Sequence, residues 1–401
     1  MHYATTMRKE AAIALLALLV TSRSLSAQTS PDAGTALVLL LFGPSGQGVA
    51  NDNVVQAFVD TLANGVTSFP LAASSGGFTY RFDPALPVPT PRSDSFGPIF
   101  AERPLTNGRR VLNVGFAFQR TTFDSLAGQP LDSLKSTVLP PRNVNFAGVL
   151  TYESDLEIVA EREILTATYG LTDSVDIGVT VPFGRTAVSG SSVLQGRGTD
   201  GRIQTVVPRE TVEGSSAGVA DIAVKAKIAA PIQGPLGLAA SVELRLPTGD
   251  PVKLLGVGVT QAKAMLISAG NIGRASPHIN VGYVWSGSDA SPRVFDLPIH
   301  VFNEFDYTIG VDINATSAIT IAADAIGRTL KNAGTIQFVN SSNETFFDIQ
   351  KTASLNILLG TVGAKMQVGR NSLLVVSAAF PLNNAGVVPR WTPVVGFEHT
   401  F

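Results

Sequence analysis

The side chains with most to offer chemically stand two residues apart. Lys225 and Lys227 share one run, and Glu243 and Arg245 share the next. Asp306, Asp312, Asp324, Arg328 and Lys365 extend the set along the chain. In extended backbone, a spacing of two places side chains on one face, so these residues predict a charged inner wall. Two readings of that wall stand open: a pathway that selects solutes, or paired charges that fill a closed, hydrated lumen. Glu153, Asp155, Glu157, Glu161 and Glu163 form a second, acidic row. That row either faces water or draws in cations near a rim. Arg162 interrupts it and predicts a bulge or register slip there.

Hydrolytic chemistry would need a serine or an acid held beside a histidine. His278 precedes a strand beside Pro277, His300 lies near an outer-loop end, and His399 sits in the last turn. No spacing fixes a partner to any of them, and no metal-ligand pattern is visible. No enzyme, metal site or cofactor is expected. A formal charge of −2 leaves no basic footprint for nucleic acid.

The elements that position these residues read as strands. Ile222, Val224, Ala226, Ile228 and Ala230 alternate with Asp221, Ala223, Lys225, Lys227 and Ala229. Phe305, Tyr307, Ile309, Val311 and Ile313 alternate with Glu304, Asp306, Thr308, Gly310 and Asp312. Composition agrees: 45% of residues are hydrophobic and 15% charged, there is no cysteine, and no apolar run is long enough for a membrane helix. The hydrophobicity must lie along one face of each strand. Every second predicted connection is a tight turn, and those between are longer. A sandwich has no reason to alternate this way, whereas a transmembrane barrel does. The expected fold is therefore an all-β, transmembrane antiparallel barrel of about fourteen strands, with twelve or sixteen also compatible. The first two strands are placed at 76–83 and 95–104. An even count puts both termini on the periplasmic side.

Residues 1–27 read as a signal peptide: Arg8 and Lys9, the apolar run AAIALLALLV, then small residues before Gln28. The chain is expected to be exported to the bacterial outer membrane and the signal cleaved. Residues 28–75 lack a strand pattern but hold the run ALVLLLF and a short amphipathic helix over 54–63. They are expected to plug the barrel, which occupies 76–401; a periplasmic tail is the competing reading. Pro182 and Pro247 mark bulges or a wall that opens sideways. The long outer loops are placed at 124–148, 189–216 and 331–350, and the Gly- and Ser-rich 189–216 is expected to be mobile. Outer-membrane lipid is the expected surroundings, and a small-molecule solute the expected partner.

Certain stretches resemble a known family. ATYGLTDSVDIGV at 167–179, GVADIAVKAK at 218–227 with ELRLPTGD at 243–250, PHINVGY at 277–283 and TPVVG at 392–396 are similar to transporter-like outer-membrane proteins of the phenol meta-pathway degradation type. A more distant similarity is to the long-chain fatty-acid and aromatic-hydrocarbon outer-membrane transporters, which are fourteen-stranded with an amino-terminal hatch. The terminal Phe401 resembles the signal read by the barrel-assembly machinery. The resemblance implies passive uptake of small, hydrophobic or aromatic solutes. A structural or adhesion barrel with a sealed lumen is the alternative.

Overall fold

The computed structural model describes residues 30–42, 52–71, 77–81, 90–91, 95–138, 148–231, 236–287, 293–294, 297–341, 344–350 and 353–401. The expected signal at 1–27 lies outside the described residues.

The wall begins with β1 (Leu112–Leu126), β2 (Gly148–Gly170), β3 (Val175–Gly198), β4 (Ile203–Val219) and β5 (Ala223–Ala229). It continues through β6 (Leu236–Arg245), β7 (Gln261–Gly270), β8 (Ala275–Ser286) and β9 (Glu304–Thr316). The remaining strands are β10 (Ile319–Leu330), β11 (Leu355–Gln367), β12 (Ser372–Pro381) and β13 (Thr392–Thr400). β4 and β5 both pair with β3 and act as one wall strand interrupted at 220–222. β13 pairs back onto β1, which closes an antiparallel barrel of twelve strands with extra strands beyond it. Connections at 171–174, 271–274, 317–318 and 368–371 are tight and share one end; the long ones share the other.

Alternation sorts the side chains. On β3, Ile177, Val179 and Phe183 point outward and exposed, while Asp176 and Thr186 on the other parity are buried. Val224 and Ile228, Val242 and Leu244, Ile279 and Val281, and Val395 and Phe397 repeat this around the barrel. From Val175 to Phe183 the outward face rises roughly 20 Å for tilted strands. That height matches the apolar band of an outer-membrane barrel. So much exposed hydrophobic surface on a closed wall is stable only against lipid.

Two differences from the sequence reading concern the chain before β1 and the outer hairpin. Residues 77–81 and 95–104 supply no wall strand. Gly97 takes φ +77°, which breaks extended backbone, and Pro98 and Pro104 remove ladder donors. The 95–107 segment instead lies in the lumen at the tight-turn half, with Phe96, Ile99, Ala101, Glu102 and Arg103 all buried. The 189–216 stretch is mostly ladder: β3 and β4 pair up to Arg197 and Ile203, so it projects as a hairpin.

Two helices fill the long-loop half. α1 (Ala33–Phe42) is apolar all round, which suits only a buried helix. Asp32 caps it by accepting from the Thr35 amide at 2.8 Å. α1 is fastened to β2, where the Ser154 hydroxyl donates to the Leu40 carbonyl at 3.2 Å. It is also fastened to β4, where Ser216 Oγ accepts from the Ala33 amide at 3.0 Å. α2 (Asp52–Thr67) buries Phe58, Leu62, Ala63 and Val66 in the same core as Leu37, Leu40, Ile158, Val188 and Leu254.

Candidate functional site: a charged lumen

The site is built from strand register. Lys225 on β5 pairs with Glu243 on β6, and Glu243 pairs with Lys263 on β7. Lys263 pairs with Val284 on β8, and Val284 with Glu304 on β9. One row across five strands thus alternates in sign, with a valine at its fourth place. On the neighbouring row, Asp306 stands opposite Arg328 on β10.

Side chains close the pairs. Arg328 grips Glu304 through two bonds, Nε to Oε1 at 2.7 Å and Nη2 to Oε2 at 2.6 Å. The same Nη2 also donates to the Ser68 hydroxyl just beyond α2, at 3.0 Å. Lys263 Nζ reaches Asp306 Oδ2 at 2.6 Å, across β8. It crosses at Gly282, where a Cβ would stand 3.3 Å from Lys263 Cε and 3.1 Å from the Ala264 carbonyl oxygen. Arg245 lies 3.8 Å from Glu243 and donates to Gln261 at 3.4 Å. Lys225 pairs with Glu102, which projects from the lumenal segment. These groups surround a cavity of about 200 Å³ between residues 68–71 on one side and Phe100 with Glu102 on the other.

The other charges hold the 95–107 segment. Lys227 donates to the Leu105 carbonyl at 2.8 Å, and Asp176 accepts from the Asn107 amide at 3.0 Å. Asn280 accepts from the Glu102 amide at 2.8 Å and donates to its carbonyl at 3.0 Å. Asp312 accepts from Ser95, and Thr320 Oγ1 from the Phe96 amide at 3.1 Å. Lys365 pairs with Glu398 at 3.1 Å, whose other oxygen accepts from the Gly77 amide at 2.8 Å. Burial raises the Glu102 carboxyl, but Lys225 and Lys227 outweigh that and hold it at about 2.

The nine residues drawn from the sequence therefore part company. Lys225, Glu243, Arg245, Asp306 and Arg328 line the cavity. Lys227, Asp312, Asp324 and Lys365 lie lower, in contacts that tie down the segment or brace its partners. Lys263 was legible as an inward position, since it keeps parity with Gln261 and Met265. Asp221 likewise stood on the parity of Lys225 and Lys227, whereas Glu102 carried no such signal, because it belongs to no wall strand.

Two expectations need correction. His278 does have acid partners: Asp324 at 2.7 Å on Nε2 and Asp312 at 3.4 Å on Nδ1. His399 has Ser372 at 2.8 Å, and His300 has Asp60 at 2.9 Å. Strand pairing brought these together, which single-chain spacing does not reveal. Among the described residues neither His278 nor His399 joins a serine hydroxyl and an acid on one ring. Arg162 causes no slip: β2 and β3 keep register through Arg162 and Gly184. It faces inward, buried, and donates to the Leu254 carbonyl at 3.3 Å, while the acidic row occupies the opposite face. Pro182 lies beside the interruption at 220–222, where Asp221 bridges to the Gly249 and Val257 amides at 3.0 and 2.8 Å.

These features define a class: a transmembrane β-barrel with charged inner walls and its own amino-terminal segment in the lumen. Over residues 136–327 the sequence matches the family model described as "Putative MetA-pathway of phenol degradation". The stretches at 167–179, 218–250 and 277–283 fall inside that match, and 392–396 falls outside it. No curated protein matches the chain. Among solved structures, the Ralstonia pickettii toluene transporter TbuX is 12% identical, with TM-score 0.36 over 75% of this chain and 92% of that one. The TodX deltaS2S3 mutant monoaromatic hydrocarbon channel is 10% identical, with TM-score 0.38 over 83% and 100%. The NanC porin is 9% identical, with TM-score 0.37 over 72% and 98%. Likenesses this loose carry no argument about the solute.

Proposed function

We propose that this chain is an outer-membrane channel for passive uptake of small solutes with hydrophobic or aromatic bodies. On this reading, residues 1–27 export it and are cleaved, and Phe401 presents the chain to the barrel-assembly machinery. The observation that carries the proposal is the cavity held between two lumenal fillings, α1 with α2 above and the 95–107 segment below. A barrel built only as a scaffold has no need of a lined space there. The family match supports an aromatic or hydrophobic solute class. A sealed structural barrel is the second reading, favoured by the many bonds that fasten 95–107 to the wall.

Planar-bilayer conductance separates them. Residues 28–70 act as the removable part of the plug, so deleting them behind an intact signal turns a small or silent conductance into a large, steady one. A truncated barrel that assembles normally yet conducts as before would show that residues 28–70 are no plug, and solute flux into proteoliposomes no greater than into empty ones would overturn the channel reading.

A further inference from the structure

We infer that the tight-turn rim of the barrel docks an anionic glycerophospholipid by its phosphate headgroup. This surface is separate from the lumenal cavity and independent of the channel reading.

Backbone bonds place the pieces of the rim side by side. The Asn371 carbonyl accepts from the Thr400 amide at 2.9 Å, and the Leu112 carbonyl from the Phe401 amide at 2.8 Å. The Gly170 carbonyl accepts from the Arg110 amide at 2.8 Å. Arg370 precedes β12 and Arg110 precedes β1, with β13 between them. Their backbones therefore stand about two strand spacings apart, roughly 10 Å. Arg109 adjoins Arg110, and Arg274 lies further round the same rim.

All four arginines are exposed, and none of their guanidinium groups is in an ion pair among the described residues. Against them stand Asp173, whose Oδ1 accepts from the Arg109 amide at 3.4 Å, and the Phe401 carboxylate. The rim keeps an excess of cations. The opposite end is built differently: Arg120, Lys135, Arg202 and Lys253 each meet an acid there. The outward row from Glu153 to Glu163 makes that end acidic. Arg110 adds a second observation. It takes φ +64°, left-handed backbone that glycine or asparagine adopts more readily. An arginine in that conformation bears a backbone cost that serves only its side chain.

What adjoins the cations selects lipid over polypeptide or free phosphate. Tyr169, Leu171, Val368 and Phe401 are exposed around them, continuous with the outer apolar face through Val114 and Phe397. Such a collar takes acyl chains, while guanidinium groups beside it take phosphate oxygens by charge-assisted hydrogen bonds.

Native mass spectrometry of the purified full chain in a maltoside detergent tests this, with phosphatidylglycerol and phosphatidylcholine of identical chains as probes. Each arginine near an anionic headgroup contributes about fivefold in affinity. Three neighbours should thus favour phosphatidylglycerol about a hundredfold. Most of that preference should vanish at about 1 M salt, where the Debye length shrinks to about 3 Å. Arg110→Asn, which suits the left-handed backbone, and Arg370→Gln should each cost phosphatidylglycerol about fivefold. Adding Arg109→Gln to both should leave the two lipids equal. Arg120→Gln, at the other end, should change nothing, and glycerol phosphate, a headgroup without chains, should not compete. Equal binding of the two lipids to the unaltered chain overturns the inference. So does a triple variant that folds by heat-modifiable mobility and keeps the preference; if it fails to fold, the two single variants decide in the same way. Full competition by glycerol phosphate also overturns it, as does arginine-dependent binding of polyglutamate without a lipid preference, which would make the partner an acidic polypeptide.

Discussion

Lys263 has to cross a whole strand to find its acid, and that geometry sets what its loss would do. Lys263 and Asp306 are 28% and 16% exposed, neither a surface pair nor a dry one. Exposed pairs contribute at most about 1 kcal/mol, whereas breaking a buried pair costs about 3–5 kcal/mol. Lys263→Met therefore destabilises the barrel by about 2–3 kcal/mol, read from urea unfolding in lipid vesicles. Most of the loss comes from the stranded carboxylate. Adding Asp306→Leu should then recover most of it, because the uncompensated charge is gone. A double variant no more stable than the single one would show that the pair itself, not the orphaned acid, sets the energy.

Gly97 and the prolines deny the 95–107 segment a ladder, so polar and charged side chains of the wall hold it. Its central contact is Glu102, which two lysines hold ionised, at about 2 against the ordinary 4.5. The sign follows from linkage: a carboxyl depressed in the folded state contributes stability above its ordinary value, and that contribution is lost as pH falls through the depressed one. Conductance of the intact chain should stay flat from neutral pH to about 4 and rise only as pH approaches about 2. Glu102→Gln removes the charge at every pH. Its conductance should start higher and lack the acid step; a step of the same size in the variant would assign the transition to another group.

At the scale of the whole molecule, register assigns every side chain to lipid or lumen at once. Val242 and Ile279 are exposed on the outer face, and Ser241 and Asn280 beside them are buried within. A one-residue slip would reverse both pairs. The chain has no native cysteine, so single replacements report cleanly. Val242→Cys and Ile279→Cys should react with a lipid-confined maleimide, and Ser241→Cys and Asn280→Cys should not. The opposite pattern would place the wall one residue out of register.

Period-two alternation and the rhythm of short and long turns determined the barrel from sequence, because a closed sheet in lipid leaves its mark on every strand separately. The same parity made inward residues such as Lys225, Glu243 and Arg328 legible. Residues 95–107 escaped that reading. Phe96, Pro98 and Phe100 alternate as a strand would, but Gly97 and the prolines deny them a ladder, and only a lumen wide enough to receive the segment gives it a place. Partnership escaped too. Lys263 with Asp306, His278 with Asp324, and Glu102 with Lys225 join residues 43, 46 and 123 positions apart. A strand's own pattern states which way a side chain faces; which charge it meets depends on closure and register, and those exist only once the whole wall has formed.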